Sequence, residues 1–226
     1  MAALLASDRR AVIAELRRLT GAREPASPDA LAPSGIAAVD EVLGGGWPRG
    51  RMVEIIGRRS SGRTSLGLGT LAAATRRGEV VALIDVDGML DARSAEAHGI
   101  DLGRLLWVRS GDGARGIRAA DLVLRADGFG VVVLDVGESA PRVPDAMWLR
   151  LGRAAERSLA ALVVVSPLRA AGAFAAITVE TSSPVPRLDG GGPSPRVLRA
   201  VESCVAVVRS KLGRPGGASQ ITFRRR

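Results

Sequence analysis

The run Gly57-Arg58-Arg59-Ser60-Ser61-Gly62-Arg63-Thr64 fits the phosphate-loop pattern G-x4-G-K-[ST] at every fixed position except the lysine, where Arg63 stands. The chemistry of that pattern is anion binding. Its glycines let successive backbone N–H groups turn inward around a phosphate, and the helix that follows adds the positive end of its dipole. A basic side chain at position 63 would neutralise the outer phosphates, and the Thr64 hydroxyl would hold magnesium. Ser60, Ser61 and Ser65 complete the candidate nucleotide contacts. A further candidate is Asp135, which closes the apolar run VVVLD. A carboxylate at the end of a buried strand can hold magnesium through water beside the loop threonine. Both features have plainer readings: a Gly-Ser turn between strand and helix for the first, and a helix cap or turn residue for the second.

These residues need a strand before the loop and a helix after it, and the sequence supplies both. Residues 51–56 (RMVEII) predict a strand and 64–77 a helix rich in Leu and Ala. Beyond them, strands expected over 80–86, 105–109, 130–136 and 161–166 alternate with helices expected over 92–98, 117–126 and 145–159. Continuous apolar strands separated by helices are the signature of a parallel sheet covered on both faces. After Arg169 the pattern changes. Strands expected over 174–180, 203–209 and 220–224 point to antiparallel pairing at the sheet edge. At the other end, Leu5, Val12, Ile13, Leu16 and Leu19 are spaced for an amphipathic helix, followed by a linker containing Pro25, Pro28 and Pro33. That helix is expected to pack on its own domain or on a partner, with Leu5, Val12 and Leu16 as the candidate partner-binding residues.

Composition narrows the classes. The 226 residues are 46% hydrophobic and 24% charged, the balance of one globular domain that can bury a core. Lys211 is the one lysine among 32 basic residues, and the formal net charge is +9. Arginine bias this strong is read first as composition and only second as attraction to nucleic acid. A single cysteine, Cys204, excludes an intrachain disulfide, and with His98 as the one histidine there is no Cys- or His-rich metal site. Cys204 is expected to be a small buried hydrophobe, and Trp47, Trp107 and Trp148 to serve core packing. No apolar run reaches transmembrane length and the N-terminus does not read as a signal peptide, so a cytoplasmic location is expected. Arg9-Arg10, Arg17-Arg18 and the tail Arg224–Arg226 are basic patches, solvated charge or contacts to DNA phosphate or an acidic partner.

The stretch from Pro33 to Ser110, with its G-I-x3-D-x2-L-G-G-G-x-P-x-G-R run, the strand-led phosphate loop and LIDVDGMLD, resembles the ATPase core of RecA recombinases. The resemblance continues through VVVLD and, more loosely, to about residue 213. It implies an α/β fold: a RecA-like phosphate-loop core with a mostly parallel central sheet flanked by helices, antiparallel strands at the C-terminal edge and an N-terminal helix. Residues 1–25 would be helix and linker, and 26–226 the core. The cofactors implied are ATP and Mg2+, bound weakly or lost, with Asp91 as a further nucleotide contact. Departures from the family pattern are concentrated at functional positions. Arg63 replaces the loop lysine, and Asp87 falls where the family has its catalytic Glu. Ser94 falls at the adenine-stacking Tyr, and Pro167 at the Gln that senses the γ-phosphate. The first DNA-loop region is cut to GESAPRVPDA, and the second, RAAGAFAAITVETSSPVP, is apolar. Arg209 and Lys211 fall near basic residues that reach a neighbour's nucleotide, or are ordinary strand-end cations.

Within that family the small size and altered site look most like the ImuA type. The implied function is a RecA-like adaptor in the SOS DNA-damage response, binding RecA and ImuB and supporting error-prone translesion synthesis, with weak or lost ATPase activity and inhibition of RecA recombination. The rivals are an active DNA-dependent ATPase or recombinase, and a SulA-like cell-division inhibitor acting on FtsZ.

Overall fold

A computed structural model describes residues 31–139, 141–190, 196–212 and 217–224. The expected N-terminal helix, with Leu5, Val12 and Leu16, lies outside them, as do the basic pairs at 9–10 and 17–18 and the final two arginines.

The element order is β1 (Leu31–Ala32), α1 (Ala37–Leu43), β2 (Trp47–Pro48), β3 (Met52–Gly57), α2 (Arg63–Arg76), β4 (Val80–Asp85), α3 (Ala92–Ala97), β5 (Leu105–Arg109), α4 (Gly113–Arg125), β6 (Phe129–Asp135), α5 (Asp145–Ser158), β7 (Ala161–Ser166), β8 (Ile177–Asp189), β9 (Val197–Ser210) and β10 (Ala218–Arg224). Eight strands form one sheet in the order β10-β9-β8-β3-β7-β6-β4-β5. From β8 to β5 the neighbours run parallel, while β9 and β10 pair antiparallel at one edge. This is the mixed, mostly parallel architecture the apolar pattern implies.

The strands are continuous apolar runs because both sheet faces are covered. In β6, Val131 and Val133 join the core under α1 and α2, with Leu66, Leu71 and Trp47. The alternate residues Val132 and Leu134 join the core under α4 and α5, with Ile117, Leu124, Trp148 and Leu151. Asp121 on α4 ties the second layer, accepting from Arg125 at 3.0 Å and from Arg150 of α5 at 2.6 Å. A buried pair sits at the opposite end of the sheet from the phosphate loop: Arg49, 4% exposed, donates to Glu79 at 2.8 Å and to the Gly130 carbonyl at 3.0 Å.

A carboxylic side chain is buried in this core. Glu54 on β3 is fully buried, and its Oε1 accepts the N–H groups of Ala170 and Ala171 at 2.6 and 2.8 Å. Its Oε2 has no partner, nor has the hydroxyl of its cross-strand neighbour Thr178. Burial pushes the Glu54 carboxyl above its ordinary range, against the pull of those two N–H groups.

Several boundaries differ from the sequence expectation for local reasons. Helix α4 begins at Gly113, before the expected 117, because the Asp112 carboxylate caps it by accepting the Arg115 N–H at 2.8 Å. Residues 172–174 form a 3-10 turn, and β8 starts only at Ile177. Strands β8 and β9 are far longer than expected and form a hairpin that leaves Val185, Leu188, Val197 and Leu198 exposed. Cys204 is half-buried on β9, not the buried hydrophobe expected, because β9 lies next to the sheet edge. Trp47 and Trp148 are core residues, whereas Trp107 is half-buried on the other edge strand, with Arg109 5.2 Å over its ring.

Candidate nucleotide site

The loop between β3 and α2 sits at the C-terminal end of the parallel strands, where ligands bind in open α/β sheets. Gly57 closes β3 opposite Thr181 of β8, and a Cβ there would strike the Thr181 and Ser61 hydroxyls, so only glycine fits. Ser60 takes φ 63° and turns the chain. Ser61 is buried and faces away from the cleft, its hydroxyl 2.6 Å from that of Thr181, while its carbonyl accepts the Ser203 hydroxyl at 2.7 Å. Gly62 caps α2 with φ 95°, and the ring of Phe223 on β10 packs directly on it.

Arg63 opens α2 but does not reach into solvent. Its side chain is 5% exposed and folds back over the loop. Nη1 donates to the Gly57 carbonyl at 2.5 Å, and Nη2 to Glu138 Oε1 at 2.7 Å. Arg59 lies 3.9 Å from the same Glu138 oxygen. Its charge is thus answered within the chain.

A cleft of about 330 Å³ brings together Arg63, Thr64, Asp87, Asp91 and Asp135, with Asp85 and Glu138 beside them. Ser60, Gly62 and Ser65 line a neighbouring cavity of about 360 Å³ with Phe223 and Val201. Asp135 ends β6 in register with Asp85 of β4 and accepts the Gly137 N–H at 3.0 Å. Burial pushes its carboxyl up; the Gly137 N–H and Arg63 pull it down, and Asp85 and Asp87 add to the rise. Asp87 is exposed at the cleft mouth and accepts the Glu138 N–H at 3.1 Å. Asp91 caps α3, accepting both the N–H and the hydroxyl of Ser94 at 2.8 Å; that hydroxyl, with the N–H, holds its carboxyl below the usual range.

In kind, these residues fit a nucleoside phosphate with magnesium: a helix N-terminus, loop N–H groups, and Thr64 and Asp135 lining one cleft. The described residues include no cluster of three or more His, Cys, Asp or Glu arranged to hold a metal alone. Sequence reasoning missed three residues here. Asp85 is structural, accepting the N–H groups of Met89 and Leu90 and the Trp107 indole N–H. Glu138 and Phe223 reach the loop from 75 and 160 or so residues away, distances at which no local pattern operates. Arg209 and Lys211 lie at the other end of the sheet and hold the turn before β8. Arg209 donates to the carbonyls of Gly172 and Ala175, and Lys211 to that of Ala173.

The model of the RecA N-terminal domain matches residues 16–148, more than half of the chain. The chain belongs to the RecA family. Among curated relatives, it is 39% identical over 116 residues to Protein RecA of Francisella philomiragia, covering 51% of this chain and 32% of that one. It is 40% identical over 112 residues to Protein RecA of Lactobacillus delbrueckii subsp. bulgaricus, covering 49% and 34%. This RecA-family chain matches about a third of the length of these relatives. No described helix is long and apolar enough to cross a membrane.

Proposed function

We propose that this RecA-family chain is a cytoplasmic adaptor of the SOS DNA-damage response, of the ImuA type, that works by binding proteins and does not turn over ATP. It would bind RecA and an ImuB-type partner, support error-prone translesion synthesis, and dampen recombination by interfering with RecA. The observation that carries the reading is the fate of Arg63. The side chain at the phosphate-neutralising position is buried and paired to Glu138 and to the loop's own Gly57 carbonyl. Arg is also longer and forked, so it does not replace a lysine in a tight loop. The second support is Asp87, one methylene shorter than the family's Glu and already accepting a backbone N–H. Positioning dominates phosphoryl transfer, so such a carboxylate is poorly placed to orient water. ATP and Mg2+ would then be ligands at most, held by the loop, Thr64 and Asp135. A DNA contact would have to come from the terminal basic patches.

The test is a pull-down of purified RecA, ImuB and FtsZ with the full chain. Capture of RecA and ImuB is expected. Capture of FtsZ alone would favour the cell-division reading and refute this one.

A further inference from the structure

Glu138 has no role in the family pattern carried over to this chain, yet it is the carboxylate that pairs with the loop arginines. It follows Asp135 by three residues, on the segment leaving β6. Its Oε1 accepts Arg63 at 2.7 Å and lies 3.9 Å from Arg59. Its own N–H is held by Asp87 at 3.1 Å, and the N–H of Gly137 by Asp135 at 3.0 Å. Two site carboxylates thus pin the backbone that presents a third carboxylate to the loop arginines.

The position of that carboxylate is informative. Arg59, Arg63, Thr64 and Glu138 line both the 330 Å³ cleft and the 360 Å³ cavity, so the Arg63–Glu138 pair stands between the two. Arg63 is 95% removed from solvent by the 5% exposure of its side chain, and its Nε–H is buried without a partner. A buried guanidinium with a spare donor, beside a helix N-terminus, is an anion site, and here one anion is already in it. Glu138 itself is 49% exposed, so moving it into water costs little compared with leaving Arg63 unpaired.

We propose that Glu138 is an internal anion seated on the phosphate loop, which a nucleoside di- or triphosphate must displace in order to bind. The proposal rests on reading this site as one that binds nucleotide without turning it over. A polyphosphate carries more charge than one carboxylate and can also use the loop N–H groups and the α2 dipole, so exchange is favoured once it enters. The two cavities then become one trench. In this chain the loop is gated by its own side chain rather than left open.

The experiment titrates a fluorescent N-methylanthraniloyl-ADP with Mg2+ into the full chain, as wild type, Glu138→Ala, Glu138→Gln and Glu138→Ala/Arg63→Ala. Circular dichroism melts confirm that each is folded. Both single variants are expected to bind about tenfold tighter than wild type or better, the factor corresponding to roughly 1.4 kcal/mol. The double variant is expected to lose that gain. Equal affinity in wild type and both single variants, including no binding by any of them, overturns the proposal while leaving the adaptor reading intact. ATP turnover by the wild type has the reverse effect: it refutes the adaptor reading, and the Glu138 titration still decides whether the internal anion competes.

Discussion

Replacing Gly62 by alanine tests the packing of β10 on the phosphate loop. Two costs arise at this position. At φ 95° an L-residue is in the left-handed region, which costs about 1–2 kcal/mol. The new Cβ would also point into the ring of Phe223, so β10 must shift or the ring must leave, an overpacking cost of about 1–3 kcal/mol. Together Gly62→Ala should destabilise the fold by roughly 2–5 kcal/mol. The second cost is separable, because Phe223→Ala removes the obstacle. In a double-mutant cycle followed by tryptophan fluorescence in urea, the pair should therefore couple. Gly62→Ala should cost about 1–3 kcal/mol less in the Phe223→Ala background than in the wild type. Additive effects within about 0.5 kcal/mol would refute the packing of Phe223 on Gly62.

Other perturbations address the core and its buried charges. Glu54→Gln keeps the acceptor for Ala170 and Ala171 and removes a buried charge whose second oxygen is unpartnered. It should stabilise the protein by about 1 kcal/mol at neutral pH in urea titrations. The sign of the pH dependence follows from the raised carboxyl. The folded state holds the proton more tightly than the unfolded one, so wild-type stability falls as pH rises from the ordinary 4.5 through the folded-state value. The difference between wild type and Glu54→Gln should grow over that window and then level off; a constant difference would contradict the assignment. Arg49→Ala removes one of the two arginines on the Glu79 carboxylate, leaving Arg77 at 2.8 Å, and frees the Gly130 carbonyl, so it should cost about 1–3 kcal/mol by the same titration.

The parallel core was legible in the sequence because its signal is local. Runs such as VVVL and ALVVV are apolar at every position only if helices cover both faces, and the strands fall where those runs are. The loop from Gly57 to Thr64 was legible from fixed spacing with a strand before and a helix after, and Asp135, at the end of an apolar strand, lines the same cleft as Thr64. The outer part of the β8–β9 hairpin was not. Residues such as Pro186, Arg187 and Asp189 face solvent and carry no alternation, since no core there imposes it. Nor was the state of Arg63 legible. A basic residue in the loop could point at a ligand or at a carboxylate, and the choice is made by Glu138, which only the fold brings near. Glu54 reads in MVEII as an ordinary polar interruption, and its burial depends on the backbone of residues 170–171 arriving over it.

The altered site and the intact fold suggest a division of roles. On the proposed reading the loop, Thr64 and Asp135 would hold a nucleotide, while Arg63 and Asp87 are engaged with the protein itself. Charge at +9 then serves surfaces more than chemistry. The most direct measurement is steady-state phosphate release by the full chain with ATP, Mg2+ and single-stranded DNA. Release no faster than in buffer is expected, with or without DNA. DNA-stimulated turnover that Asp87→Ala abolishes would contradict it.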